Sequence, residues 1–455
     1  MFGWEFPPHF AGGVGMVCYE LTKELASNNV SIDYVMPFST KDLDAKFLRF
    51  KGAQDEEPDM KILHSKYAHL SKHEVRSLMS AYQTSEEYEE VKKLLDKCSR
   101  SKAPSQFGQN PSHEEKVPVE GNVQLYGERL LDEMDLFSKR VEKMHDDGSF
   151  DNFDIIHAHD WTTLPAAKAI KEKSGKPFIA HVHITEVNKA AGTGGVNPEI
   201  FAVEKEGFNS ADKVVAISNS IKQTLIQNYG VDDERIEVIH NGGVQMSDST
   251  TISDDLSFLK EDGRQIVSLI GRVTGMKGPE NFVRMAQKVL EHKPNTRFVV
   301  AGTGDKLAAS IALAQQLGIK DDFYFHGFYN RKEAEDFFAM SDVFVLPSLM
   351  EPFGVTPLEA MQKKTPVIIS KQSGVSEILN HCFKVDFWDI NKMSSQVISL
   401  LTYPELSKAM VTQGLAEAKA KDWKKPAAEC MDMYTKLDFE KKNPTFNTHK
   451  GVGTK

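Results

Sequence analysis

The stretch 342–359 constrains the fold of this chain more than any other. It opens with the apolar run Val343–Leu346, which has the length and the β-branched content of a buried strand. A loop containing Glu351 follows, and a helix then begins at Thr356, since the proline in its first turn is compatible with a helix start. Glu359 lies in that helix, eight positions after Glu351. The backbone N–H groups at such a helix start favour anions, including phosphates.

An isolated pair of this kind would ordinarily be a solvated loop acid and a helix-surface acid. The run EPFGVTPLEA, however, resembles the E-x7-E signature of retaining glycosyltransferases of the GT-B group. The similarity is to family 4 (sucrose-synthase-like) and to the neighbouring glycogen and starch synthases. It implies an α/β protein of the GT-B class, with two Rossmann-like domains facing a central cleft. It also implies that Glu351 binds the transferred sugar and Glu359 the ribose, and that the amides of Gly354, Val355 and Thr356 face the donor phosphates.

Length and composition agree with such a protein. A chain of 455 residues exceeds one comfortable core, so two domains are expected. The formal charge of −10 argues against nucleic acid as the main partner. Four scattered cysteines fit no metal spacing and are typical of a reducing compartment. No apolar run is long enough to span a membrane and the N-terminus does not resemble a signal peptide, so a soluble, cytoplasmic protein is predicted.

Domain limits follow from shifts in pattern along the chain. An N-terminal, acceptor-side Rossmann-like domain is predicted over 1–245, with a helical insertion at about 82–148. The polar stretch 247–262 is predicted to be a linker, and a nucleotide-sugar-binding domain to occupy 264–422. A helix over 423–437 is expected to return to the N-terminal domain, as in GT-B chains, and the polar tail 443–455 is expected to be disordered.

A glycine pair, Gly12–Gly13, lies between a very short first strand and a helix predicted over Met16–Ala26. Such a turn lets backbone amides approach a phosphate, although a glycine pair alone is more often only a tight turn. In the resemblance, Gly12 and Gly13 face the donor phosphates. Glycogen and starch synthases have a lysine two positions before this pair, whereas this chain has Phe10. That departure favours family 4 and leaves the donor nucleotide open.

A pair of cations follows the strand predicted at 266–270. Arg272 and Lys277 lie five residues apart on a strand-to-helix loop and could bind a pyrophosphate from two sides. Most such pairs are solvated loop cations. Here the pattern G-R-x-x-x-x-K-G, ahead of E-x7-E, resembles the donor-phosphate clamp of the family, which assigns Arg272 and Lys277 to that role.

Histidines follow two further strands, FDIIHAHD and PFIAHVH. Ligands gather at the carboxyl ends of parallel strands, so these histidines and Asp160 are well placed for binding. Their spacings do not match usual catalytic zinc sites, so core or substrate-binding roles are preferred and no metal is predicted. The resemblance places Asp160 near the acceptor and His181 beside the transferred sugar, with His183 as its neighbour. The segment 185–195 is predicted to be a mobile, glycine-rich loop.

These observations favour a hexosyltransferase that uses UDP- or ADP-glucose as substrate, with a glucan or another saccharide as acceptor and no cofactor. Arg272, Lys277 and the loop amides would stabilise the negative charge that grows on the leaving β-phosphate. Two alternatives stay open: a GT-B phosphorylase or sugar-nucleotide epimerase, and a non-catalytic carbohydrate- or nucleotide-binding relative. The sequence leaves the acceptor and the oligomeric state undetermined.

Overall fold

The computed structural model describes residues 1–7, 13–37, 45–53, 130–150, 152–193, 195–247 and 252–442. Several predictions from sequence lie outside these residues: those for Phe10 and Gly12, for residues 82–129 of the insertion, and for the tail 443–455. Within the described part of the chain, no helix is both long and apolar enough to cross a membrane.

The N-terminal half builds one parallel sheet. Its strands are β1 (Asp33–Met36), β2 (Arg49–Gly52), β3 (Ile156–His159), β4 (Phe178–Val182), β5 (Lys213–Ala216) and β6 (Ile236–Val238). Strands β3 to β6 pair in chain order, and β1 pairs with β2. Every residue of β3 and β4 is buried, as expected for a sheet covered on both faces.

The short first strand completes this sheet. Phe2 forms parallel bridges to both Val35 and Ala158, so residues 1–3 lie between β1 and β3. The Phe2 N–H donates to the His157 carbonyl (2.8 Å), and the Gly3 N–H donates to the Val35 carbonyl (3.1 Å). The strand that looks almost absent in the sequence is therefore present, and it joins the two groups of strands.

Helices of this half cover the sheet. They are α1 (Gly13–Ser27), α2 (Leu130–Asp146), α3 (Leu164–Ser174), α4 (Glu186–Thr193), α5 (Pro198–Ser210) and α6 (Asn219–Tyr229). Local signals set their ends: the Ser218 hydroxyl accepts the Ile221 N–H at the start of α6, and Gly230 ends it in the left-handed region (φ 69°). Helix α1 begins three residues before the predicted Met16, so Gly13 is in its first turn and not in a turn ahead of it.

The C-terminal half builds a second parallel sheet. Its strands are β7 (Gln265–Ile270), β8 (Thr296–Ala301), β9 (Phe323–Gly327), β10 (Val343–Leu346), β11 (Val367–Ser370) and β12 (Phe383–Val385). They are ordered β12-β11-β10-β7-β8-β9. Strands β10 and β11 are fully buried, which explains their continuous apolar sequences.

The helices of this half flank the second sheet or connect it to the first. They are α7 (Asp254–Glu261), α8 (Pro279–Leu290), α9 (Leu307–Gln316), α10 (Arg331–Met340), α11 (Thr356–Gln362), α12 (Ile390–Thr402), α13 (Pro404–Ala420) and α14 (Lys424–Lys442). The stretch 247–262 is thus not wholly a polar linker, because α7 buries Leu256 and Leu259. Helix α14 contacts α1 of the first half.

Two open parallel sheets, each covered by helices, confirm the predicted pair of Rossmann-like domains. In the second sheet, β7 to β9 run outward in one direction and β10 to β12 in the other. The chain therefore changes direction between β7 and β10, and crevices at the carboxyl ends of such strands are where ligands bind. In the first sheet the corresponding point lies between residues 1–3 and β3.

Candidate active site

The loops after β7 and β10 meet at the switch point of the second sheet. Arg272 and Lys277 follow β7, and Glu351 follows β10. The Leu349 N–H donates to the Met276 carbonyl (2.8 Å), which fixes one loop against the other. Gly278 is left-handed (φ 66°), and a Cβ there would come within 2.2 Å of the Pro347 carbonyl oxygen. This close approach requires glycine and brings the lysine loop onto the glutamate loop.

Lys277 and Glu351 form an ion pair. Glu351 is only 6% exposed, so its carboxylate depends on this cation. Gly354 is also in the left-handed region (φ 92°), and a Cβ there would lie 2.9 Å from Glu351 Cγ. The glycine of the EPFG turn thus makes room for the glutamate side chain. The structure brings together two predicted site residues that are 74 positions apart.

Helix α11 begins at Thr356, directly after Gly354 and Val355, as the sequence predicted. The Thr356 hydroxyl is buried and has no hydrogen-bond partner among the described residues. A buried hydroxyl without a partner is uncommon, and it marks a place where a ligand oxygen could bind. The loop therefore offers a side-chain hydroxyl in addition to the predicted backbone amides.

Glu359 has a partner that the sequence analysis missed. Arg331, at the start of α10, donates from Nη1 to Glu359 Oε1 (2.7 Å) and from Nη2 to the Gln245 carbonyl (3.3 Å). Burial raises the pKa of the neighbouring Tyr329, and so does the charge of Glu359, while Arg331 and Arg272 oppose that shift. All three charges therefore act on one phenol, and the Arg272 side chain is exposed. The available signal was position, since Arg331 lies four residues after the carboxyl end of β9.

The histidines of β3 and β4 form two hydrogen-bonded pairs in the first sheet. His157 Nε2 lies 3.0 Å from His181 Nδ1, and His159 Nδ1 lies 3.1 Å from His183 Nε2. All four rings stack at centroid distances between 4.5 and 5.4 Å. We call these residues the histidine ladder. Its unpredicted neighbour is Tyr434 of α14, whose hydroxyl lies 2.6 Å from His157 Nδ1.

The ladder is neutral. Burial lowers the pKa of His183 to about 3 and that of the other three histidines well below the ordinary value. Three ring nitrogens are buried without a hydrogen-bond partner in the described structure: His159 Nε2, His181 Nε2 and His183 Nδ1.

Two groups within the ladder region are close enough to share a metal ion. One is His157, His159 and His181, and the other is His159, His183 and the buried Cys18 of α1, which sequence spacing alone did not bring together. The hydrogen bonds between the rings account for the close nitrogens without an ion. The prediction that this site holds no metal stays a prediction.

Asp160 directly follows β3 at the carboxyl edge of the first sheet, next to the histidine ladder. It adopts a positive φ (59°), and its Oδ1 accepts the N–H groups of His183 (2.8 Å) and Ile184 (3.3 Å). Burial raises its pKa to about 6, although these two hydrogen bonds and the charge of Lys189 oppose the shift. Asp160 therefore fixes the backbone that leaves β4 next to the ladder. Its predicted contact with an acceptor stays a prediction.

The segment after β4 is a helix rather than the predicted glycine-rich loop. Glu204 of α5 accepts the Glu186 N–H through both carboxylate oxygens (2.8 and 3.1 Å), which satisfies the start of α4. Helix α4 contacts the turn at Gly275–Lys277, and Asn188 Nδ2 lies 3.6 Å from Met350 Sδ. The first half of the chain thus reaches the lysine loop of the second half.

A carboxylate of the second half also contacts the first. Glu377 accepts the Asn219 N–H (2.9 Å) at the start of α6, and His240 Nε2 lies 2.7 Å from the same carboxylate. These contacts connect the carboxyl edges of the two sheets.

Comparison with known proteins agrees with this geometry. The family described as Glycosyl transferases group 1 matches residues 253–416, and Glycosyltransferase Family 4 matches residues 73–242. A sucrose-phosphate synthase from Thermosynechococcus elongatus superposes with a TM-score of 0.66 over 94% of each chain, at 17% identity. The chain has the GT-B fold of group 1 and family 4 glycosyltransferases. The predicted GT-B architecture is confirmed.

Two curated glycosyltransferases and one further solved structure are also similar to this chain. An uncharacterized glycosyltransferase of Methanocaldococcus jannaschii is 31% identical over 238 residues, which is 51% of this chain and 61% of the relative. A D-inositol 3-phosphate glycosyltransferase of Segniliparus rotundus is 26% identical over 62% of this chain and 65% of the relative. The chain thus spans less than two thirds of the length of these two relatives. The Anabaena protein HepE, in complex with UDP-glucose, superposes with a TM-score of 0.60 at 16% identity, over 95% of this chain and 98% of HepE.

Proposed function

We propose that this protein is a retaining glycosyltransferase that moves a glucosyl group from UDP- or ADP-glucose to a glucan or another saccharide acceptor. The Lys277–Glu351 pair at the switch point of the second sheet is the observation that supports this most. It combines a cation suited to a diphosphate with a carboxylate suited to sugar hydroxyls. Since the carboxylate is buried, both groups are held in place before a ligand arrives.

The donor would lie along the loops of the second half. Lys277 and the exposed Arg272 would bind the diphosphate, and Arg272 could do so with a planar, two-point contact. The amides of Gly354, Val355 and Thr356 would face the same phosphates, and the unpartnered Thr356 hydroxyl could donate to one of their oxygens. These groups would stabilise the charge that develops on the leaving nucleotide diphosphate.

Glu359 would accept from the ribose hydroxyls, and Gly12 and Gly13 would approach the phosphates from the first half. In the present structure Arg331 already binds Glu359 Oε1, so the ribose would use its other oxygen or displace the guanidinium. Names of similar proteins agree with a nucleotide-sugar donor: HepE is in complex with UDP-glucose in one structure and with UDP and glucose in another.

The transferred glucose would contact Glu351 and His181, with the acceptor on the side of Asp160 and His183. We propose front-face attack guided by the leaving phosphate for the retaining outcome. A nucleophilic carboxylate close to the sugar carbon is the alternative. Asp160 is a poor candidate for that role because its Oδ1 already accepts two backbone N–H groups.

The names of relatives broaden the choice of acceptor. One curated relative acts on D-inositol 3-phosphate, and one structural neighbour is a sucrose-phosphate synthase. Phosphorylated sugars and inositol phosphates therefore belong beside glucans in the acceptor panel.

The test begins with a thermal-shift screen of UDP, ADP, GDP and their glucose conjugates, since a ligand that binds only the folded protein raises its melting temperature. Release of the nucleotide diphosphate is then measured with each acceptor, for the wild type and for the variants Glu351→Gln and Arg272→Ala. Acceptor-dependent release that both variants lose, with retained anomeric configuration in the product, would support the proposal.

Three results would point elsewhere. Stimulation by inorganic phosphate would indicate a phosphorylase, and product formation without any acceptor would indicate an epimerase. Binding without turnover across the whole panel would indicate a non-catalytic relative.

A further inference from the structure

A chain of hydrogen bonds leads from the C-terminal helix to the histidine assigned to the transferred sugar. The Tyr434 hydroxyl, on α14, lies 2.6 Å from His157 Nδ1, and His157 Nε2 lies 3.0 Å from His181 Nδ1. The remaining ring nitrogen, His181 Nε2, is buried and has no partner within the described structure. Tyr434 is 277 positions from His157, so only the return of α14 to the first half creates this chain.

The protons of this chain and the length of its first contact together give it a direction. Burial raises the pKa of Tyr434 well above its ordinary value, so the phenol keeps its proton, and the two histidines are neutral with one N–H each. If the phenol donates to His157 Nδ1, the His157 proton is on Nε2 and donates to His181 Nδ1. The proton of His181 must then be on Nε2. The reverse order makes the same two hydrogen bonds and also leaves one donor without a partner, so the number of bonds does not decide between the two orders. The first contact does: at 2.6 Å it has the length of a hydrogen bond from an O–H donor and is shorter than the 2.7–3.2 Å that is usual for an N–H donor.

We propose that Tyr434 and His157 are positioning residues that hold His181 as the Nε2–H tautomer. His181 then presents an N–H donor, and not a lone pair, at the end of the chain. This step rests on the proposed function: a hydroxyl oxygen of the transferred sugar would accept the hydrogen bond from His181 Nε2–H. A donor at this position orients the sugar without adding charge, and it makes His181 unsuitable as the base that removes a proton from the acceptor.

The second pair of the ladder provides an internal contrast. His159 Nδ1 and His183 Nε2 share one hydrogen bond, but neither outer nitrogen contacts a phenol, and both are without a partner in the described residues. Either ring could donate, so nothing in this pair selects one tautomer. The difference between the two pairs therefore isolates the contribution of Tyr434.

The direct test is nuclear magnetic resonance of protein labelled with ¹⁵N-histidine, in which ring-nitrogen shifts identify the tautomer of each assigned histidine. The expected result is His181 almost wholly protonated on Nε2 in the wild type. In Tyr434→Phe, which removes only the hydroxyl, the two orders become nearly equivalent and a mixture should appear. The matched control is Tyr324→Phe, which removes another tyrosine hydroxyl, 3.1 Å from His326 Nδ1. This control should leave the His181 signals unchanged.

Three results would overturn the proposal. The first is His181 protonated on Nδ1 in the wild type. The second is a His181 tautomer that does not respond to Tyr434→Phe. The third is a stoichiometric metal ion in the purified protein that is lost from ladder variants, since metal-bound nitrogens would replace these hydrogen bonds.

A kinetic readout connects the chain to the proposed reaction. Tyr434→Phe removes the hydrogen bond that favours the Nε2–H tautomer of His181. Its kcat should therefore fall by about two- to tenfold, with little change in KM for the donor. In His181→Gln the side-chain amide supplies a donor without needing the His157 proton, so adding Tyr434→Phe should then have little further effect. An equal effect in both backgrounds would overturn the positioning role. If the protein transfers no sugar, the proposed function fails, while the tautomer measurement still decides the proton order.

Discussion

The two sides of the cleft hold their site residues by different interactions. On the C-terminal side, buried carboxylates are paired with cations, Glu351 with Lys277 and Glu359 with Arg331. On the N-terminal side, four buried histidines are neutral and hydrogen-bond to one another and to a tyrosine. The cation of such an ion pair can bind an incoming phosphate, because its new contact with the phosphate replaces the contact that it gives up with the carboxylate. The neutral histidine ladder offers directional hydrogen bonds without a net charge, and such bonds suit sugar hydroxyls.

The largest effect should come from breaking the charged side. Lys277→Ala removes the cation that would bind the diphosphate and leaves Glu351 buried without its partner. By analogy with other groups that stabilise a transition state, kcat/KM for the donor should fall about 10²- to 10³-fold. Steady-state release of nucleotide diphosphate measures this directly.

The control for Lys277 is an exposed ion pair of the same kind. Lys168 lies 2.6 Å from Glu206 in a solvent-exposed pair, and such pairs contribute little. Lys168→Ala should therefore leave kcat/KM within about twofold of the wild type. If Lys277→Ala also left kcat/KM within about twofold of the wild type, Lys277 would not bind the donor.

Local motifs explain why the charged side was largely predictable from sequence. Arg272, Lys277 and Glu351 follow a strand by two to seven residues, so spacing along the chain already places them at carboxyl ends. Glu359 lies in the first turn of the helix that begins after the Glu351 loop. Parallel pairing of β7 with β10 then brings the two loops together. Arg331 escaped notice because its contact with Glu359 spans 28 positions and belongs to no local pattern.

The neutral side was less predictable for the same reason. The histidines of β3 and β4 alternate along their strands, so a shared face could be inferred, but the register that pairs His159 with His181 could not. Tyr434 comes from a helix at the other end of the chain. Helix α4 was mistaken for a loop because its glycine and threonine suggest a turn, whereas Glu204, 18 positions away, satisfies its first N–H.

The ladder should show itself in the dependence of stability on pH. Because burial holds the ladder pKa values below the ordinary value of about 6.5, the unfolded chain binds more protons than the native protein as the pH falls. Each ladder histidine therefore lowers the free energy of unfolding by up to about 1.4 kcal/mol per pH unit below pH 6.5. Asp160 (pKa about 6) and Glu204 (pKa about 7) act in the opposite direction, since burial raises their pKa values.

A single variant separates these contributions. His159→Asn keeps an amide near the position of Nδ1 but removes one imidazole from the ladder. Between pH 6.5 and 5, its free energy of unfolding should depend less steeply on pH than that of the wild type, by up to about 1.4 kcal/mol per unit. Urea unfolding at several pH values measures the slope, and His292→Asn, at an exposed position, should leave it unchanged. Equal slopes for His159→Asn and the wild type would mean that the ladder is not held neutral.

The smallest expected effect concerns the pair that the sequence did not reveal. Arg331 holds the Glu359 carboxylate at 2.7 Å while also binding the Gln245 carbonyl, so it fixes the orientation of the group assigned to the ribose. Arg331→Gln should raise KM for the donor about tenfold and leave kcat within about threefold, because ribose binding is shared by the ground and transition states. Arg331→Lys keeps the charge but loses the planar fork, so its KM for the donor should lie between that of the wild type and that of Arg331→Gln.

Calorimetric measurement of nucleoside diphosphate binding should rank the three proteins in the same order, with the wild type binding most tightly. A gain in affinity for Arg331→Gln would instead mean that Arg331 competes with the ribose for Glu359, and the charged side of the cleft would then contain one pair that binds the donor and one that opposes it.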